Sequence, residues 1–391
     1  MDQTQDLGVA AVLVAIELSK ATWLLAIHEP VTGKVSRRRV GGGEADTLIA
    51  TIEQIRHNAE ARLEAAVEIE CVFEAGYDGF WLQRRLVQSG IACRVMDPAS
   101  LKVDRRARRV KTDRVDAECL LRALQAWRRG DQHACSFVRI PSIQEEDARR
   151  PHRELARLVK ERVAHANRIK GLLALHGVRT YQPLRRDRRE ALAVLQTSCG
   201  GPLPARCRAE VERELSRLEL VLQHIEEVEQ AMAEPVSMAS SESKGVPARS
   251  EPATSDAVTM LEKLTCVGRE TAVVLAREVL CRDFRDRRSL AAFAGLTPCP
   301  YSSGRVRHEQ GISKAGNAIV RARLIQLAWR WVRFQTTSDV TAWFLARTTG
   351  NSKRSRRITI VAVARKLLIA LWRYATTGLV PAGARIRAAQ T

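Results

Sequence analysis

Nine cysteines in 391 residues is an odd number, and no two of them form a Cys-x-x-Cys pair. This argues against a zinc ribbon or finger and against a disulfide framework, and for a reducing, cytoplasmic setting. No apolar run approaches the roughly 20 residues of a bilayer crossing, so no membrane partner is expected. The opening MDQTQDLG is acidic and polar, unlike a secretory signal. A Gly-x-x-x-x-Gly-Lys-Ser/Thr phosphate loop is also missing, so no nucleotide-driven step is expected. Apolar residues are not scarce: at 45% they suffice for real cores. The length suits two or three domains at ~100–200 residues each.

Acid is short relative to base. Sixty-four Lys and Arg against 44 Asp and Glu leave a formal charge of +20, and only 11 of the 64 are lysine. Arginine's planar five-donor fork matches phosphate. The arginines cluster at Arg37–Arg39, Arg105–Arg109, Arg185–Arg189 and Lys353–Arg357. GC-rich coding would explain the Arg/Lys ratio but not the charge, so a nucleic-acid partner is expected.

Residues 9–130 read as α/β. Three strands come first: GVAAVLVAIE, TWLLAIHE and a more polar one ending at Gly41–Gly43. Helix, strand, helix, strand and helix follow, which suggests one mixed sheet with the element order of a ribonuclease-H-like (resolvase-like) fold. Residues 145–234 read as charged helices. There Val211, Leu215, Leu218, Leu222 and Ile225 keep a 4-3-4-3 spacing, marking either a dimerising coiled coil or a hairpin within the chain. Residues 235–257, rich in Ser, Pro, Ala and Glu, read as a flexible linker, and 258–377 as a second, mainly helical domain.

Four acids stand out by position. Glu17 ends the first strand, Glu74 ends the fourth, and Asp113 and Asp116 share one face of a helix start. The Asp pair suits ordinary helix capping too, but a carboxylate continuing an apolar strand is costly unless paired or metal-bound. Together the four could hold Mg²⁺ by hard oxygen ligation, for two-metal chemistry at a phosphodiester. In the second domain, Leu264–Ala272 carries Gly268 between two helices. This is either a helix-hairpin-helix-like turn whose N–H groups meet phosphate or a plain αα-hairpin. Ser302-Ser303-Gly304 and Gly311–Asn317 follow in loop-like sequence, where a serine is ordinarily a turn residue.

Lys111-Thr112-Asp113-Arg114-Val115-Asp116-Ala117, with Glu74-Ala75-Gly76 upstream, resembles the DEDD-type insertion-sequence transposases, the bridge-RNA-guided recombinases. Gly295-Leu296-Thr297-Pro298, Ser303-Gly304 and Gly311-Ile312-Ser313-Lys314-Ala315-Gly316-Asn317 look like the C-terminal domain of the same family. The resemblance spans roughly 10–130 and 258–347. It implies a ribonuclease-H-like domain holding Mg²⁺ on Glu17, Glu74, Asp113 and Asp116, and a nucleophilic Ser303 that becomes joined to a DNA 5′ phosphate. It also implies donor and target double-stranded DNA, a noncoding guide RNA, and a homo-oligomer (dimer or tetramer) with active sites shared between subunits. The expected setting is a prokaryotic, nucleoid-associated one. Lys111, Arg114, Arg305, Arg307, Lys314, Arg321 and Arg323 would bind nucleic acid. Two positions depart from the pattern: Glu17 stands where the family usually has Asp, and Cys266-Val267 where it usually has Pro-Gly. A metal-dependent junction resolvase using water, or a degenerate nucleic-acid-binding scaffold, are the competing readings.

Overall fold

The computed structural model describes residues 11–30, 32–101, 112–233, 251–303 and 306–387. The chain divides into two compact units, Met1–Pro141 and Ser142–Thr391.

Unit one contains β1 (Ala11–Leu18), β2 (Thr22–His28), β3 (Val35–Gly41), α1 (Ala45–Leu63), β4 (Glu68–Glu74), α2 (Trp81–Gln88), β5 (Ala92–Met96) and α3 (Asp113–Arg128). This is the element order expected from the sequence. The sheet runs β3-β2-β1-β4-β5, antiparallel from β3 to β1 and parallel from β1 through β5. β1 is apolar from Ala11 to Ile16 because both its faces are covered there. Val12, Val14 and Ile16 join the core that Leu48, Ile52, Leu82 and Leu86 of α1 and α2 complete. Leu13 and Ala15 pack with Ala117, Leu120, Leu121 and Leu124 of α3. β3 is an edge strand, and its Arg37, Arg38 and Arg39 suit an exposed edge that must not pair further.

Unit two is mainly helical: α4 (Ile143–Asp147), α5 (Arg150–Ala174), α6 (Arg188–Ala193), α7 (Ala205–Ala233), α8 (Glu251–Glu262), α9 (Arg269–Leu275), α10 (Arg287–Phe293), α11 (Ala318–Phe334), α12 (Asp339–Thr348) and α13 (Lys353–Thr377). α9 runs on into a π-helical turn, Ala276–Leu280. A two-stranded hairpin, β6 (Pro298–Ser303) and β7 (Val306–Ile312), lies between α10 and α11. The largest core of this unit gathers Leu324, Trp331, Phe344, Leu367 and Leu371 from the last three helices, with Val274 and Leu275 of α9.

One open alternative is decided and two expectations change. The heptad stripe of α7 is spent inside the chain: Val211, Leu215 and Leu218 bury against Ile169, Leu172 and Leu173 of α5, and Val221 and Ile225 against Leu155 and Leu158. The pairing is antiparallel, so the coiled-coil periodicity serves an intramolecular hairpin. The 235–257 linker overlaps α8, which already begins at Glu251, while 235–250 lie outside the described residues. The Pro- and Gly-rich stretch around Ser303 is a β-hairpin rather than a loop. α12, which the sequence pattern did not assign, is started by Ser338, whose hydroxyl accepts the Val340 N–H.

Candidate functional site

Glu17 is the next-to-last residue of β1 and Glu74 the last of β4, neighbouring parallel strands. The last register pair is Ile16 with Phe73, so the two carboxylates follow side by side at the carboxyl edge of the sheet. Side chains alternate along a strand. Ile16 and Phe73 belong to the core under α1 and α2, so Glu17 and Glu74 lie on the opposite face, the one covered by α3. Both are partly buried and both have a partner within the chain.

α3 runs antiparallel to β4. Its last turn carries Arg128, whose Nη1 donates to Glu70 Oε2 at 2.6 Å, while Arg94 Nε donates to Glu70 Oε1 at 2.5 Å. Its first turn, with exposed Asp113 and half-buried Asp116, therefore points toward the edge that carries Glu17 and Glu74. The lengths differ, however. From Glu70 to Glu74 the strand advances about 13 Å. From Arg128 back to Asp116 the helix advances about 18 Å. That difference of about 5 Å is within the reach of a long arginine side chain such as that of Arg128, and among the described residues no three His, Cys, Asp or Glu side chains close into a metal-binding group. The donors are all carboxylate oxygens, the chemistry that suits a hard divalent cation, and two of the four already stand together. Thr112 caps α3 by accepting the Val115 N–H.

Ser303 is the last residue of β6, paired with Val306, and the next rung pairs Ser302 with Arg307. The motifs on either side of this hairpin meet at its base. Ser313 N–H donates to the Thr297 carbonyl at 2.9 Å, Lys314 N–H to Gly295 at 3.3 Å and Asn317 N–H to Phe293 at 2.7 Å. Two glycines permit the approach. A Cβ on Gly295 would lie 2.3 Å from the Ala315 carbonyl oxygen, and one on Gly316 would lie 2.3 Å from that of Phe293; both also have positive φ.

Of the cations expected to bind nucleic acid, Lys111 and Arg305 lie outside the described residues. Arg114 and Lys314 are exposed. Arg307 stands on β7. Arg321 donates to the Ala294 carbonyl at 3.2 Å, and Arg323 pairs with Glu270, so both already have partners in the chain. The Leu264–Ala272 turn is walled by the C-terminal tail. Thr265 N–H donates to the Arg385 carbonyl at 3.0 Å, and Arg387 Nη2 donates to that of Val267 at 3.0 Å. Sequence reasoning passed over Glu278, which is fully buried between His152, Arg153 and Asn317.

Comparison with known proteins places this arrangement among the enzymes of DNA recombination. Residues 258–341 match the model of the transposase IS116/IS110/IS902 family. A putative transposase, y4rJ, of Sinorhizobium fredii is 45% identical over 381 residues, covering 97% of this chain and 95% of its own length. The transposase for insertion sequence element IS1111A of Coxiella burnetii is 26% identical over 313 residues, covering 79% and 78%. The chain belongs to the IS116/IS110/IS902 family of insertion-sequence transposases.

Proposed function

We propose that this transposase cuts and rejoins DNA through a serine intermediate. The observation that carries the reading is the place of Ser303, at the end of a strand in a hairpin whose base is fixed by the two glycine-bearing motifs. Its Oγ attacks a DNA phosphorus. An Oγ–P bond forms, the P–O3′ bond breaks, and the serine proton goes to the departing 3′ oxygen. A 3′ hydroxyl of another strand then attacks the phosphoserine and returns the proton to Ser303. Each phosphodiester broken is replaced by one formed, so no nucleotide hydrolysis is needed, in keeping with the missing phosphate loop.

A serine hydroxyl is a weak nucleophile until its proton is drawn away. Mg²⁺, when bound, would supply positive charge to the reacting phosphate. Glu17, Glu74, Asp113 and Asp116 would hold it, and the strand order β3-β2-β1-β4-β5 supports the ribonuclease-H-like reading of their domain. Arg114, Arg307 and Lys314 would hold the DNA backbone. The +20 charge suits a guide RNA as well as duplex DNA.

The test is covalent capture. The chain is expressed with its flanking noncoding DNA, given donor and target DNA with Mg²⁺, and quenched in detergent. A serine–DNA adduct at Ser303 is expected, and it should vanish in Ser303→Ala while DNA binding persists. Cutting that survives Ser303→Ala but is lost in Glu74→Ala would replace the serine by water and make the protein a resolvase-like nuclease.

A further inference from the structure

Glu278 has no part in the proposed reaction, yet no other carboxylate among the described residues is more deeply buried: it is 0% exposed. It sits in the π-helical turn Ala276–Leu280, a distortion that recurs at functional positions. Oε1 accepts from His152 Nε2 at 2.8 Å and Arg153 Nε at 2.7 Å, and Oε2 accepts from Arg153 Nη2 and Asn317 Nδ2, both at 3.0 Å. Burial pulls its pKa upward, but the hydrogen bonds from His152 and Arg153 outweigh that and hold it at about 2. The carboxylate is therefore charged.

These donors come from two directions. His152 and Arg153 open α5, the root of the α5–α7 hairpin. A reciprocal clasp fixes that root to the π turn: Arg149 Nε donates to the Arg277 carbonyl at 3.0 Å, and Arg277 Nη1 to that of Ala148 at 2.7 Å. Asn317 comes from the other side. Its Oδ1 caps α11 by accepting from Ile319 and Val320, and its own N–H donates to Phe293, at the base of the Ser303 hairpin. A continuous chain of contacts thus runs from the helical arm through Glu278 to Asn317 and the serine hairpin. Adhesion alone does not call for it, because a buried ion pair holds a fold no better than apolar residues of the same volume. What it adds is direction, since each oxygen accepts from fixed donors.

We propose that Glu278 is a positioning residue, tying the base of the β6–β7 hairpin to the root of the α5–α7 arm so that the arm's placement sets that of Ser303. The catalytic part of this inference rests on Ser303 being the nucleophile; the anchoring part does not. Two variants of the full chain test it. Glu278→Gln keeps the size and removes the charge. Asn317→Ser keeps a competent cap for α11 but cannot reach Glu278.

Hydrogen exchange reads the anchoring. Amides of 298–312 should exchange about tenfold faster in both variants, with those of 320–334 unchanged. Adduct formation reads the chemistry. At saturating DNA it should slow by about 10- to 100-fold, with the half-saturating DNA concentration unmoved. The double variant should be no slower than the slower single, as expected for two residues acting through one contact. Unchanged exchange of 298–312 in folded variants would overturn the proposal, and so would a loosened hairpin with an undiminished adduct rate. Loosening in both variants beside a wild type that forms no adduct at Ser303 would support the anchor and retire the serine.

Discussion

Lys314 adopts φ +55, in the left-handed region, and is exposed. For a residue with a Cβ that conformation costs about 1–2 kcal/mol. Glycine would remove the cost while adding freedom to the unfolded chain worth about 0.4–1 kcal/mol. Lys314→Gly should therefore raise stability, by up to about 1.6 kcal/mol, and weaken DNA binding. Chemical denaturation and a binding isotherm check the two halves, and an unchanged affinity would remove Lys314 from the DNA grip. Glu278 supplies a second residue-scale prediction. Its pKa is depressed from 4.5 to about 2, so its stabilisation is complete above about 4.5 and is lost as pH falls toward 2. The loss should be about 3 kcal/mol. Melting temperatures across that window should fall more steeply for the wild type than for Glu278→Gln; parallel curves would mean that Glu278 is not held as a charge. Glu17 and Glu74 stood out in the sequence because an acid closing an apolar run breaks a local pattern. Glu278 was not, because its partners His152 and Arg153 lie 126 and 125 residues away. The available signal was subtler: it stands four residues after Val274 and three after Leu275, both buried, on the inward face of a helix.

At the scale of elements, unit one follows its local patterns closely because β1 and β2, covered on both faces, must be mostly apolar. The serine hairpin was hidden because Pro298, Pro300, Gly304 and Gly311 read as loop. A two-stranded hairpin consists only of edges, where proline is tolerated. The α7 stripe shows a different limit: spacing reveals that a face is buried but not what buries it. Here the partner is α5, reinforced by Arg168 on Glu210 at 2.5 Å and His165 on Glu214 at 2.7 Å. Leu215 is fully buried in that contact. Leu215→Ala should cost about 2–5 kcal/mol of stability in thermal or denaturant unfolding. A loss below about 1 kcal/mol would mean that the α5–α7 contact does not hold this stripe.

For the molecule as a whole, the +20 charge has to be divided between cations that hold the fold and cations left for a ligand. Arg37 is bound to Glu118, Arg128 and Arg94 to Glu70, Arg188 and Arg189 to Glu219, and Arg323 to Glu270. By contrast, Lys353, Arg354, Arg356 and Arg357 are exposed at the start of α13, with no acid in its first turn. Cations there oppose the helix dipole, an arrangement that an incoming phosphate relieves. Salt should therefore act strongly on binding. If the complex neutralises about 6–10 phosphates, affinity for duplex DNA should drop by about 10³–10⁵ between 50 and 200 mM salt. Replacing Arg354 and Arg356 together by Gln should lower the slope of log K against log salt by about two, one for each lost contact. Replacing Arg37 by Gln should leave the slope unchanged, because that charge is already neutralised by Glu118. Equal slopes for all three proteins would mean that the start of α13 does not touch the DNA and that the excess charge acts only as a diffuse field.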